Sequence, residues 1–139
     1  MKKILSMILA IIILIPTVTA DAADVPGFRV IAGSMVEVDK VYDTSDGHTY
    51  VYVSLDYDKE FVKPYINLLQ KKNLKLIDYT RSSSKNEIDF WVKSTYHKWL
   101  FDCRGFCVTF SLKDGVNEAG KKYKRYFIEV PNELTYDEE

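Results

Sequence analysis

The chain has few of the residues that enzymes commonly use for chemistry: its 139 residues include two histidines and two cysteines. No glycine-rich stretch matches a phosphate-binding loop, no serine lies in a nucleophile-elbow pattern, and no pair of carboxylates stands out among the acidic residues. A structural zinc site needs four ligands at a recognisable spacing, and two thiolates with His97 leave one ligand missing. We therefore expect no catalytic motif, no metal and no cofactor.

The chain also lacks an excess of charge of either sign, with 19 basic and 20 acidic side chains. A strong basic field attracts nucleic acid or anionic lipid, so we expect no nucleic-acid partner. One segment, 121–127 (KKYKRYF), mixes cations with aromatic rings. On a strand, its cations would be divided between two faces, which is typical of a solvated edge strand.

No apolar run has the length of about 20 residues that crosses a bilayer comfortably. The longest, residues 4–15, follows two lysines and ends at Pro16. Small residues at the following positions complete the pattern of a signal peptide over residues 1–20, with cleavage after Ala20 or Ala22. No cysteine lies near these bonds to carry a lipid. We expect a secreted or periplasmic protein with no stable membrane anchor after signal cleavage.

The rest of the chain is divided by composition into three parts. Residues 21–27 (DAADVPG) are small and polar and predict a short leader, and residues 28–131 carry the alternating apolar pattern of one α+β domain. Residues 132–139 form an acidic tail that we expect to be frayed. The length suffices for one core and leaves no room for a second domain.

Most of the domain alternates apolar and polar residues with a period of two, which predicts strands. We place these strands at 28–38, 49–57, 74–79, 87–93, 96–102, 106–112 and 126–130. Helical spacing occurs once, in an apolar stripe of Phe61, Val62, Tyr65, Ile66, Leu68 and Leu69. The predicted fold is α+β, an antiparallel sheet of six or seven strands packed around a single helix.

The sequence leaves two alternative starts for this predicted helix and indicates one end. Asp58 is a candidate N-cap, but Pro64 would then lie beyond the first turn, so the helix either begins nearer residue 62 or is kinked. Asn73 is suited to the left-handed conformation that ends a helix. The polar segments 80–86 and 114–121 are expected to be loops.

Cys103 and Cys107 would meet an oxidising milieu after export, and a disulfide is the first expectation for them. A three-residue hairpin loop formed by residues 104–106 would place the two cysteines opposite each other. A thiol-redox pair is the alternative. It is weakened because three residues separate the cysteines and no helix follows to lower the pKa of a thiol.

His48 and His97 are the candidate acid–base pair of a small secreted hydrolase. That function requires the two imidazoles to lie close together. The competing interpretation is that each is a partly exposed histidine on a strand.

All 19 aromatic residues follow the signal peptide, and they are the compositional feature that favours binding. If one face of the sheet is uncovered, it carries an aromatic recognition surface, and the tip at residues 104–106 is an alternative binding site. The candidate binding residues are Tyr50, Tyr52, Trp91, Trp99, Arg104 and Phe106. The alternative is that both faces are covered and the rings are core. The leading hypothesis is a non-catalytic binding module, whose partner is an unknown protein or an envelope glycan.

Overall fold

The protein forms a single small domain that is largely antiparallel sheet, in a computed structural model that describes residues 23–56, 58–85 and 91–137. The predicted signal peptide lies outside these residues. The elements in chain order are α1 (Arg29–Ala32), a 3₁₀ turn (Gly33–Met35), β1 (Val36–Asp43), β2 (Gly47–Ser54), α2 (Val62–Lys71), β3 (Lys75–Lys85), β4 (Trp91–Cys103), β5 (Phe106–Asn117) and β6 (Lys122–Pro131). No helix in the described part of the chain is long and apolar enough to cross a membrane.

The six strands form one sheet in the order β1-β2-β6-β5-β4-β3. Every pairing is antiparallel, and β3 to β6 form a meander whose last strand pairs with β2. The predicted antiparallel sheet is thereby confirmed. Strands β1 and β3 are the two edges of the sheet.

One face of the sheet carries the core. Tyr52, Phe110, Tyr126 and Ile128 lie on this core face and are completely buried. Phe28 packs against them from the segment before α1, with its ring centroid 4.5 Å from that of Tyr126. Aromatic side chains of this size contribute much of the apolar area that a small domain can bury.

Helix α2 contacts the core face through Tyr65 and Leu69, which are both fully buried. The helix begins at Val62, so the missing amide of Pro64 falls in the first turn, where amides need no helical partner. Of the two predicted alternatives, a start near residue 62 is confirmed, and Asp58 is too far from this start to cap the helix; the amide of Val62 donates to Oε1 of Glu60 at 2.7 Å. Asn73 ends the helix with a φ of 69°, as predicted.

The prediction of a single packing helix is not confirmed. Residues 28–35 were predicted as a strand but form α1 and the 3₁₀ turn, and Ala32 of α1 also enters the core. Alternation of apolar residues in this segment indicated a strand, but packing of Phe28 and Ala32 beside Tyr52 favours a helical turn.

Both ends of the described chain are part of the fold. Val25 of the predicted leader is fully buried and forms a parallel bridge with Tyr136 of the predicted tail. Leu134 is also buried. The expectation of a frayed tail is therefore wrong for residues 132–137, because Leu134 and Tyr136 pack against the core and the backbone pairs with Val25.

Strands β3, β4 and β5 are longer than predicted. Strand β3 continues through the polar segment 80–85, β4 runs without a break from Trp91 to Cys103, and β5 extends to Asn117. Backbone pairing continues through these polar segments, without a shift in β3 from Asp78 to Lys85 and with one register shift between Trp91 and Lys93 where β4 meets the end of β5. Their polarity reflects exposure to solvent at the sheet end and does not mark loops.

Candidate binding groove

An open groove lies on the core face between the start of α2 and strands β3 to β6, with a volume of about 370 Å³. This size is within the range of small-ligand sites. Its walls include Glu60, Lys63, Tyr79, His97, Trp99 and Lys124. We call this feature the groove.

Stacked aromatic rings form one side of the groove. The ring of Trp99 lies between those of Tyr79 and Phe110, at centroid distances of 5.2 and 5.3 Å. These three residues occupy directly paired positions on β3, β4 and β5, which is why their rings stack side by side across the sheet. The row begins in the core at Phe110 and ends at the sheet edge, where Tyr79 is 47% exposed.

His97 lies two residues before Trp99 on β4 and faces the groove. Its Nδ1 is 2.6 Å from the hydroxyl of Tyr79, and its ring stacks on both Tyr79 and Trp99. Partial burial lowers the pKa of His97, and the nearby Arg81 lowers it further, against the opposing effect of Asp114 and Glu60. The lowered pKa favours the neutral imidazole, which can act as a hydrogen-bonding group.

Charged groups surround the aromatic rings. The Lys124 side chain is only 10% exposed, and its Nζ lies 3.8 Å from Oε2 of Glu60 and 3.4 Å from the carbonyl oxygen of Lys59. Asp114 is paired with Lys124 across β5 and β6 and also lines the groove. Lys63 adds a second cation at the wall formed by α2.

A buried hydroxyl without a partner lies near the groove. The oxygen of Tyr126 is buried and has no hydrogen-bond partner within the described part of the chain. Burial raises the pKa of Tyr126, and the neighbouring carboxylates of Glu60 and Asp114 raise it further. Tyr126 is fully buried, so its hydroxyl belongs to the core and not to the groove surface.

The structure does not bring His48 and His97 together. Both lie on the core face, opposite Val130 and Leu112 respectively. They are three strands and four residue positions apart, which corresponds to about 20 Å. Nδ1 of His48 instead lies 2.6 Å from Oδ1 of Asp43, beside a separate cavity at the end of β2.

The cysteines also differ from the expectation. Strands β4 and β5 are joined by a two-residue turn, Arg104-Gly105, in which both residues have positive φ, so Cys103 pairs with Phe106. Cys107 pairs with Asp102, on the opposite face from Cys103. No disulfide joins them: Cys103 is a buried free thiol and Cys107 an exposed one. The predicted three-residue loop is wrong because Arg104 takes the left-handed conformation that the two-residue turn requires.

The predicted binding residues lie in three different environments. Tyr52 is fully buried, Tyr50 is half-buried and stacks on Tyr136, and Trp99 is half-buried in the groove. At the hairpin tip, Phe106 is 37% exposed and Arg104 forms an ion pair with Asp24 at 2.6 Å. The side chain of Trp91 lies outside the described part of the structure. They therefore do not form one aromatic surface.

Several groove residues were not identified from the sequence. Tyr79, Lys63, Asp114 and Lys124 each lie in a pattern that is typical of an ordinary strand or helix surface. Strand pairing brings Tyr79, Asp114 and Lys124 together, and Lys63 joins them because α2 packs on the same face. The pairing of Tyr79 with Trp99, beside His97, follows from register, which periodicity alone does not define.

Comparison of the chain with protein-family models, with curated proteins and with solved structures finds no match.

Proposed function

We propose that the protein is an exported, non-catalytic binding module and that its ligand site is the groove. The observation that carries this proposal is that the exposed ring of Tyr79 and the half-buried rings of His97 and Trp99 line an open groove beside the cations Lys63 and Lys124. A ligand with an apolar, planar part and an anionic or acceptor-rich part fits these groups.

The groove supplies the two kinds of contact that such a ligand needs. Apolar atoms of the ligand would pack against Trp99 and Tyr79 and lose contact with water. An oxygen acceptor of the ligand would receive a hydrogen bond from the ammonium group of Lys63, which lines the groove.

The distance between the two histidines supports binding over the acid–base hydrolase. A general acid and base must both reach the reacting atoms within hydrogen-bond distance, and about 20 Å between His48 and His97 is too far for one substrate bond. His97 alone supplies one neutral imidazole, already hydrogen-bonded to Tyr79. The export part of the proposal rests on the N-terminal signal pattern in the sequence.

The test uses 8-anilinonaphthalene-1-sulfonate, a fluorescent probe that combines planar rings with an anion. We expect saturable fluorescence enhancement with the folded protein and at least a tenfold weaker dissociation constant for Trp99→Ala and for Lys63→Glu. Tyr42→Ala is the matched control, because Tyr42 is an aromatic residue of β1 that is 48% exposed and lies far from the groove. Equal binding by all four proteins, or no binding by any, would contradict the proposal.

A further inference from the structure

The edge of the sheet next to the groove has backbone groups that are available for another strand. Strand β3 pairs with β4 on one side, and no described strand pairs with its other side. From Asp78 to Lys85 the pairing with β4 runs without a register shift, so this part of the edge is regular. A regular, unpaired edge is a template for strand addition.

The direction of the backbone groups on β3 follows from one hydrogen bond. The amide of Tyr79 donates to Oδ1 of its neighbour Asp78 at 2.8 Å, so it points away from β4. In an antiparallel pair the direction alternates along the strand, so the amides and carbonyls of Arg81 and Ser83 also point outward. Those of Thr80 and Ser82 point towards β4.

The side chains at these positions define the chemistry of the edge. Tyr79 and Arg81 lie on the core face, paired with Trp99 and His97 of the groove, and both are exposed. A strand added next to β3 would place alternate side chains beside them. One apolar side chain would contact the Tyr79 ring, and an acidic one two residues away would meet the guanidinium of Arg81.

The charge of the surrounding elements favours an acidic partner. Over α2 with its C-cap, β3 and β4, the described acidic side chains are Asp78 and Asp102. The described basic side chains over the same elements are Lys63, Lys71, Lys72, Lys75, Arg81, Lys93 and Lys98. Even when Glu60 and Asp114 of the groove walls are added, basic side chains outnumber acidic ones, so this edge of the sheet attracts negative charge, which steers association and opposes basic partners.

We propose that the edge of β3 binds an extended acidic polypeptide segment by antiparallel or parallel strand addition, with apolar and acidic residues alternating along the face that meets Tyr79 and Arg81. This inference rests on the proposed function, since the groove beside the edge accommodates the apolar side chain. The backbone groups of Arg81 and Ser83 supply the hydrogen bonds, and the side chain of Arg81 selects for acid.

The experiment uses a fluorescein-labelled peptide that repeats valine-threonine-glutamate-threonine twice, and a second peptide with lysine in place of glutamate. We expect the wild-type protein to bind the glutamate peptide in fluorescence anisotropy and to bind the lysine peptide at least tenfold more weakly. Arg81→Glu is expected to reverse this preference. Reversal distinguishes a contact at residue 81 from a general loss of stability.

Two further measurements test the backbone contacts. Ser83→Pro removes an outward amide and should weaken peptide binding at least tenfold, while Ser82→Ala, its matched control, should bind normally. In hydrogen exchange, the glutamate peptide should protect the amides of Arg81 and Ser83 without changing those of Thr80 and Ser82. If Ser83→Pro is unfolded by circular dichroism, the exchange pattern and the Arg81→Glu reversal decide the outcome.

The naphthalene probe separates failure of this inference from failure of the proposed function. Probe binding that depends on Trp99, with no binding of either peptide, would overturn strand addition and leave the groove as a ligand site. Absence of probe binding together with absence of peptide binding would overturn the groove as a ligand site and strand addition at β3. Equal affinity for the two peptides would also overturn the inference. So would a dimer of this chain in sedimentation that pairs through the β3 edge and that the glutamate peptide does not dissociate.

Discussion

The hydroxyl oxygens of Tyr52 and Tyr136 lie 2.9 Å apart, which joins the C-terminal segment to the middle of the sheet. The Tyr136 hydroxyl also accepts a hydrogen bond from the amide of Phe28 at 2.9 Å. One side chain therefore connects the C-terminal segment, β2 and the segment before α1. The Tyr136 hydroxyl thus holds the N-terminal and C-terminal segments of the domain against the sheet.

Replacement of Tyr136 by phenylalanine should destabilise the domain without changing its fold. The change leaves the amide of Phe28 without its acceptor in a partly buried site, and such a loss costs about 1–3 kcal/mol in the free energy of unfolding. Urea denaturation measures this change. Tyr42→Phe is the control, since Tyr42 is exposed on an edge strand. Equal stability of the two variants would show that the Tyr136 hydroxyl does not support the fold.

Alkaline pH should unfold the domain through its buried tyrosines. Burial raises the pKa of Tyr65, Tyr126 and Tyr136 in the folded protein. In the unfolded chain these groups lose their protons near pH 10, so above that pH the folded state binds more protons than the unfolded state and stability falls. Absorbance at 295 nm should show a group of tyrosines that ionises only with unfolding. A single titration near pH 10 in protein that is still folded would contradict this.

His97 should make the domain less stable in mild acid. Its folded pKa lies below the ordinary value of 6.5, so the unfolded chain takes up this proton first as the pH falls. Stability is therefore complete above about pH 6.5 and decreases as the pH falls towards the folded pKa. His97→Gln should flatten the pH dependence of the free energy of unfolding in this window. His48 is present in both proteins, so the difference between them reports His97 alone.

The two thiols should react at different rates in the folded protein. Cys107 is exposed and should be alkylated rapidly by a maleimide, whereas Cys103 is 6% exposed and should react only on unfolding. Mass spectrometry of the native and urea-unfolded protein, purified without reductant, counts the modified thiols. Two unreactive cysteines in unreduced, unfolded protein would show a disulfide and contradict the free thiols.

Prediction from the sequence succeeded where a pattern is local. The apolar stripe of α2 and the left-handed Asn73 depend on residues within a few positions of one another, and both were correctly predicted. The strands were identified by alternation, but the ends of β3 and β5 were placed too early and the end of β2 too late. Polar residues at 80–85 and 114–117 form strands because neighbouring strands supply hydrogen bonds, and that depends on pairing across the sheet.

The candidate site was mostly beyond such prediction. Trp99 was predicted to be a binding residue, but the sequence did not predict that Tyr79 and His97 lie beside it. The two-residue turn at Arg104-Gly105 also shifted the pairing of the cysteines by one position, which moved Cys103 and Cys107 to opposite faces. Side chains alternate between the two faces of a sheet, so a one-residue change in strand register moves a predicted site residue to the opposite face.

By itself, the sequence determined the α+β class, the antiparallel strands and the amphipathic helix α2, since these follow from periodicity within short segments. Tertiary structure alone decided which strands are neighbours, and therefore that Tyr79, His97 and Trp99 line one groove while His48 lies at the other end of the sheet. Strand order and register arise from burial of Phe28, Tyr52 and Tyr126 in a common core, and such contacts join residues far apart in the chain.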